Sequence, residues 1–498
     1  MNTQWKKSMK HTRIILLIAL LGLAAAGLPS LRAATITVTE VGDGLDVHTN
    51  LRQALTDAQD GDVIEFAPEL GGYTLALIQG LGELVVNKSV TIRWVPTAGY
   101  NSYLGVSSWH LSRVFYISPG KTVTISGLNI LNGSAPPPNY WGGAIYNDHA
   151  SLTLNNCTIS GNSAGDNGGG IYNYGGSMNA TLKVLNSTLS GNSAHFYGGG
   201  IFNISAYGGS APADVLNCTL SGNSAGRFGG GIYNNAAVDG SSPLEVLHST
   251  FSDNSAFQGP SGGIANFSAT LQLGSTILNA SSISNSSGTI TSLGYNLSSD
   301  NGGGFLAATG DQINTTPMLG PLQDNGGPTY THALLTGSPA IDAGDPNFDP
   351  NAFNPPMLYD QRGSGYSRVA HGRIDIGAFE IVVPSYAGQI QPPINADGSS
   401  NFNVRRGVVP VRFNLTLGGV ATCDLPPATI AVTRTAGGVI GEVNESVYGG
   451  NADTGSNFRI DSCQYIYNLN SRALGAGTYR VDILIDGQVV GSAVFALN

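Results

Sequence analysis

Apolar positions in the middle of this chain alternate over three or four residues and then break. In Cys157-Thr158-Ile159-Ser160 the first and third side chains share one face, as a β-strand requires. Gly-Gly-Gly-Ile-Tyr-Asn at 168–173 marks a tight bend running into another short strand. The same succession of strand and bend returns along the chain. Ile145, Ile171, Ile201, Ile232 and Ile264 follow one another at steps of 26, 30, 31 and 32 residues. Ile130, Ile159, Leu189, Leu220, Phe251 and Ile277 do so at 29, 30, 31, 31 and 26. Two landmarks with one period predict a solenoid of short parallel strands, its coils stacked at the interstrand spacing of ~4.8 Å.

Stacking in register sets identical side chains above one another. Three asparagine columns follow. One is Asn156, Asn186 and Asn217; a second is Asn162, Asn192, Asn223 and Asn254; a third is Asn147, Asn173, Asn203, Asn234 and Asn266. A carboxamide donates to one neighbour and accepts from the other, so such a column keeps an inward bend hydrogen-bonded. Sugar ligation or glycosylation is the competing assignment. From the second column to the third the spacing is 11, 11, 11 and 12 residues, whereas the return to the next coil varies between 8 and 14. One bend is therefore fixed and one loop varies, and variable loops on a regular scaffold are where recognition resides.

Composition supplies the setting. Gly accounts for 69 of 498 residues and charged residues for 11%, against ~25% in ordinary domains. Lys6, Lys7, Lys10 and Arg13 precede an apolar run from Ile14 to Gly27, and Leu31 and Ala33 sit at the −3 and −1 positions of a cut. Residues 1–33 thus read as a secretory signal peptide cleaved after Ala33, with an uncleaved anchor as the alternative. The run is shorter than the ~20 residues of a spanning helix. No other segment is long and apolar enough, so the mature chain is expected without a transmembrane segment, secreted or at the cell surface. Cleavage removes five of 22 basic residues and none of the 32 acidic ones, taking the formal charge from −10 to −15. So acidic a surface repels phosphate backbones and excludes nucleic acid as a partner.

The coils resemble right-handed parallel β-helices of the pectin-lyase-like class, in particular those of secreted bacterial surface proteins. TITVTEVGDGLDVHTNLRQALTDAQDGDVIEFAPEL at 35–70 is similar to their N-terminal entry segment. That resemblance implies a short helix from Leu51 to Ala58, N-capped by Thr49 or Asn50, covering the first coil. The stretch from Gly337 to Glu380, with GSPAIDAGDPNFDP and YDQRGSGYSRVAHGRIDIGAFE, resembles the choice-of-anchor Q module of cell-surface proteins. Beyond Pro384 the repeat is gone, and alternating strands such as Val408–Leu417 and Tyr479–Ile485 predict a small β-sandwich. It resembles Ig-like modules with a Pro-Val-Lys-Phe signature, Arg412 standing in place of the lysine. The expected class is all-β: signal peptide 1–33, N-terminal cap and first coils 34–110, β-helix 111–384, and sandwich 385–498. Cys423 and Cys463 are the pair within the last module, and export permits a disulfide. Cys157 and Cys218 lie two coils apart, too far to bond, and are expected inward and reduced.

Enzymes of the pectin-lyase-like class use clustered Asp with Lys or Arg, often with calcium, outside a strand sheet. The acids between residues 150 and 270 are Asp166, Asp214, Asp239, Glu245 and Asp253, and by repeat offset no two are expected to stack. Asp166, His195 and Arg227 fall on neighbouring coils of the fixed bend, as a polar cluster or a solvated rim. Trp141, Tyr197 and Phe228 follow at coil spacing, as a platform for sugar rings or a cover for the bend. Asp345, Asn347 and Asp349 have the alternating oxygens of a calcium loop but lack its glycine and distal glutamate; a turn capping the last coil is the alternative. No cofactor is predicted. The sequence points to a non-catalytic exported scaffold binding extracellular glycans or cell-envelope components, with a polysaccharide lyase or glycoside hydrolase as the alternative.

Overall fold

The computed structural model describes residues 33–498 apart from 45–48, 97–102, 136–139, 260, 371, 382–385, 418–419, 424, 444–451 and 486. Apart from Ala33, the expected signal peptide lies outside the described residues. Among them no helix is long and apolar enough to cross a membrane. The chain forms two compact units, Met1–Val382 and Val383–Asn498.

The first unit is a parallel β-solenoid. Ile145 lies beside Ile171, Ile171 beside Ile201, Ile201 beside Ile232 and Ile232 beside Ile264, each pairing parallel and in register. Among the described residues three long sheets result. Sheet 1 runs in ten strands from Thr35–Val38 to Thr289–Gly294, sheet 2 in nine from Thr74–Ala76 to Leu297–Ser298, and sheet 3 in eight from Leu84–Val86 to Ile283–Ser286. A narrow sheet 4 stacks Ser163–Ala164, Ser193–Ala194, Ser224–Ala225 and Ser255–Ala256. Alternate residues point inward and form one apolar column from Val38 to Leu306. Sheet 1 is continuous across residue 110, so the expected cap-and-first-coils segment and the helix proper are one body. Helix Leu51–Asp57 buries Leu51, Ala54 and Leu55, and Asn50 caps it by accepting from the Gln53 N–H at 2.8 Å.

The bends are where a stack of coils could leave polar groups stranded, and each bend has its own solution. At the step from sheet 2 to sheet 4, Asn162 Nδ2 donates to Asn192 Oδ1, Asn192 to Asn223 and Asn223 to Asn254, all at 2.9 Å. The same oxygens accept main-chain N–H groups from the coil before. The Asn147, Asn173, Asn203, Asn234 and Asn266 column is chained likewise, at 2.6 to 3.0 Å, and passes on to Asn285 at 3.1 Å. The first expected column needs correction. Asn217 donates to Asn186 at 2.7 Å, but Asn186 donates to Asn155 at 2.9 Å and not to Asn156. Asn156, Asn186 and Asn217 have φ of 53°, 49° and 57°, and His248 and Ser275 at the same bend have 50° and 47°. Asparagine serves there because it tolerates the left-handed conformation, not because its amide must stack.

The polar column at that bend belongs instead to the next residue inward. The Cys157 N–H donates to Ser187 Oγ at 3.0 Å, the Ser187 N–H to Cys218 Sγ at 3.4 Å, and the Cys218 N–H to Ser249 Oγ at 3.2 Å. Thr276 and Asn296 extend it. Cys157 and Cys218 are buried, unbridged, and separated by the rung of Ser187. Burial pushes their thiols up to about 11 and about 12.

After the last coil the chain does not simply end the stack. Residues 319–380 return along the outer face of sheet 2 as a strap. Thr188 Oγ1 donates to the Tyr330 carbonyl at 2.6 Å, Thr219 Oγ1 to Gln361 Oε1 at 2.6 Å, and the Ala378 N–H to Thr250 Oγ1 at 3.0 Å. Ser221 Oγ meets His332 Nε2 at 2.9 Å. Leu334, Ala340, Ile376 and Phe379 pack on Ile277 and Leu297. Inside the strap Arg362 pairs with Asp360 at 2.6 Å and lies between the rings of Tyr366 and Phe379.

The second unit packs two antiparallel-based sheets around one core containing Val411, Phe413, Tyr465, Val481 and Phe495. Val408–Leu417 pairs antiparallel with Gln464–Asn470, and Gly477–Ile485 with Gln488–Leu497. Cys423 and Cys463 are joined by a disulfide across a separation of 40 residues.

Two measurements check this account. Asn192→Leu should strand the Asn162 N–H and the Ile159 carbonyl, at ~1–3 kcal/mol for each group left buried and unpaired. Asn179→Leu, at an exposed position, should cost less than ~0.5 kcal/mol in the same denaturant titration. Thiol counting should find two free thiols in unfolded protein without reductant and almost none in native protein. A Cys157–Cys218 crosslink in native material would contradict the stacking.

Candidate functional site

The fixed bend between sheet 4 and sheet 3 turns on Gly168, Gly198 and Gly229, with φ of 66° to 70°. A Cβ there would lie 2.4 to 2.6 Å from the carbonyl of the isoleucine three residues on. The residues just before these glycines are consequently held in stacked rows along one edge. Asp166, His195 and Arg227 stand on that edge without forming a common site. The Asp166 carboxylate accepts the Trp141 indole N–H at 2.9 Å. His195 meets the ring of Phe196 at 4.5 Å. The Arg227 guanidinium lies 4.7 Å over Phe196 and donates to the Tyr197 hydroxyl at 3.1 Å. Offset explains the separation: Arg227 shares its rung position with Phe196 and Asp166, whereas His195 lies one residue earlier.

The aromatic residues behave similarly. Trp141 stacks on Tyr172 with centroids 5.4 Å apart, Tyr172 on Phe202 at 5.0 Å, and Phe202 on Tyr233 at 5.3 Å. Tyr197 stacks on Phe228 at 6.2 Å and leans on Tyr233 at 4.7 Å. Trp141 and the Tyr197–Phe228 pair therefore do not share one free platform; most of these rings cover the outside of sheet 3. Phe228 is 37% exposed and Tyr140 43%. The Ile-Tyr-Asn phrase carried the missed signal, because the residue between two inward ones must face out.

Beside this edge, sheet 4 forms the floor of an open groove of about 600 Å³. Ser163 and Ser193 present hydroxyls at successive rungs, Ala164 and Ala194 keep the floor low, and Tyr140 and His195 rise beside it.

The outer face of sheet 1 corrects a second expectation. Lys183 pairs in register with Asp214, Asp214 with Glu245 and Glu245 with Gln272. Two carboxylates therefore do occupy adjacent rungs, with Lys183 Nζ 3.3 Å from Asp214 Oδ2. Burial and the neighbouring Asp214 charge raise the Glu245 carboxyl above its usual range, Lys183 opposing them. Lys183, Asp214 and Glu245 each lie three residues before the left-handed bend residue of their coil, Asn186, Asn217 and His248, so the row has a constant offset from the first column, while the variable loop separates it from the third.

Asp345, Asn347 and Asp349 lie in a pair of turns. Asp345 Oδ1 accepts the Asn347 N–H and Asp349 Oδ1 accepts the Asn351 N–H, both at 2.9 Å. The turns do not cap the last coil: Phe348 and Phe353 pack against His248 on the flank of the stack, at 5.0 and 5.6 Å. Among the described residues no three His, Cys, Asp or Glu side chains converge as a metal site.

Comparison with known families matches residues 156–174 to the Chlamydia polymorphic membrane protein repeat. The matched stretch is one coil from the left-handed asparagine to the strand of sheet 3. No curated protein matches the chain. The chain is a parallel β-helix repeat protein. Its coil is similar to that repeat where the bends are fixed.

The Lys183–Asp214–Glu245 row yields a further expectation. A folded-state carboxyl raised above its unfolded value contributes stability at low pH that is lost as pH rises through the folded value. Glu245→Gln should therefore raise the melting temperature at neutral pH and leave it unchanged below pH ~4. Lys183→Ala should lower it. Both effects should stay within ~1 kcal/mol, because the row is open to solvent.

Proposed function

We propose that the chain is an exported, non-catalytic β-helix scaffold that binds glycans or related cell-envelope components outside the cell. The observation that carries this reading is the groove over sheet 4, where hydroxyls recur at successive rungs beside the exposed ring of Tyr140. A polymer lying along the stack would meet the same small, polar step repeatedly. Export is supported by the basic and apolar start of the sequence and by the disulfide, which suits an oxidising compartment. The likeness of one coil to the Chlamydia polymorphic membrane protein repeat agrees with a place at an outer surface. On this reading residues 337–380 are a choice-of-anchor Q-like segment and the second unit an Ig-like module. The acidic surface suits neutral ligands over anionic ones.

A second reading, a polysaccharide lyase or hydrolase, is favoured by the Lys183, Asp214 and Glu245 row on an outer sheet face. Protein lacking residues 1–33 should bind a glycan array and whole cells, and should release no product from pectin or alginate. Turnover that disappears in Asp214→Asn or Glu245→Gln would replace the scaffold reading with the enzymatic one.

A further inference from the structure

The strap covers the outer row of sheet 2 at the rungs of Thr188, Thr219 and Thr250, while Thr158, one rung earlier, is half-buried. Where the strap's turn at 324–330 meets these open rungs there is a cleft of about 460 Å³, lined by Asn129, Leu131, Thr158, Ser160, Asp324 and Tyr330 among others. We propose that this cleft is a binding site for a neutral or amino sugar within an extracellular oligosaccharide. The proposal rests on the glycan-binding reading above and adds to the groove over sheet 4 a second site with its own ligand class.

Four features argue for that chemistry. Size is the first: a cleft of a few hundred Å³ suits a small ligand or one or two sugar rings. The floor is the second. Thr158 and Ser160 project from one strand, and Ser190 Oγ donates to Ser160 Oγ at 3.1 Å. Hydroxyls repeated in two directions complement a polyol, since each can donate or accept as the ligand requires. The third is Tyr330, 55% exposed. Its carbonyl accepts from Thr188 Oγ1 at 2.6 Å and from Gln361 Nε2 at 3.3 Å. The main chain beneath the ring is thus fixed while the ring stays open, an amphipathic face for the C–H side of a sugar. Leu131 and Pro328 add apolar wall.

The fourth feature is charge. Among the described residues Asp324 is the one charged residue lining the cleft. Its Oδ1 accepts the Gly326 N–H at 2.9 Å, which orients the carboxylate as an acceptor for a sugar hydroxyl or ammonium group. The same carboxylate repels uronates. A neutral or amino sugar is accepted and an acidic one refused.

The test is titration of protein lacking residues 1–33 with cello-, manno- and chito-oligosaccharides and with oligogalacturonate. At least one of the first three should bind, and oligogalacturonate should not. Tyr330→Ala and Asp324→Ala should each weaken binding by about tenfold, the worth of a stacked ring or a charge-assisted hydrogen bond. Both residues are exposed, so the melting temperature should hold and a loss of binding can be assigned to the cleft. Asn179→Leu, at an exposed position outside the cleft, should leave binding unchanged, and His195→Ala reports on the groove over sheet 4. If binding persists in both cleft variants, or falls in His195→Ala instead, the site is not this cleft, although glycan binding stands. Preference for oligogalacturonate overturns the ligand class. No binding to any of the four overturns the glycan reading with it.

Discussion

Everything in the first unit depends on one constraint: each coil must satisfy the inward polar groups of its neighbours, because water cannot. A parallel stack aligns not only the strands but also the bends, and bends carry main-chain groups without a strand partner. The structure answers with columns running along the axis, one carboxamide or hydroxyl per rung. Asn192 shows the economy of the device, its oxygen receiving two donors from the rung of Asn162 while its nitrogen serves Asn223 and Ile159. The apolar column between Val38 and Leu306 supplies the driving force. The polar columns determine that coils assemble in one register only, since a slip would leave buried donors unmet.

That constraint also explains which features could be read from the sequence. The period, the alternation and the Asn162 and Asn147 columns are local or strictly repeating, so Ile145 to Ile264 sufficed to place them. The Cys157, Ser187, Cys218 column was hidden by its mixed chemistry: sulfur and oxygen perform one task there, and identity of residue type was the wrong sign to follow. Asp214 and Glu245 were legible at a constant offset, three residues before the bend residues Asn217 and His248, but that offset leads back from the bend and not on through the loop that follows the third column. The strap was invisible for another reason. Thr219 and Gln361 are 142 residues apart, and no periodicity links them.

The outer surfaces divide into those the protein uses on itself and those it leaves open. Sheet 3 carries its own aromatic cover, with Tyr172, Phe202 and Tyr233 stacked ring on ring. Sheet 2 is largely closed by the strap. What remains is the ionic row of sheet 1, the groove over sheet 4 and the cleft where the strap stops. The groove and the cleft offer hydroxyls at successive levels, which suits a chain-like ligand better than a compact one, whereas the sheet 1 row alternates in charge.

The strap changes the character of the stack as well as its surface. A solenoid held by neighbouring coils alone behaves as a one-dimensional chain, able to fray from either end one repeat at a time. Gln361 touches two rungs at once, receiving from Thr219 and donating to Thr188 at 2.8 Å, and the same segment reaches Thr250 farther on. These long-range ties couple coils that would otherwise open independently, so the strapped half must loosen as one cooperative block. The hydrogen bonds of the strap to Thr188, Thr219 and Thr250 place that block in the later coils of the stack.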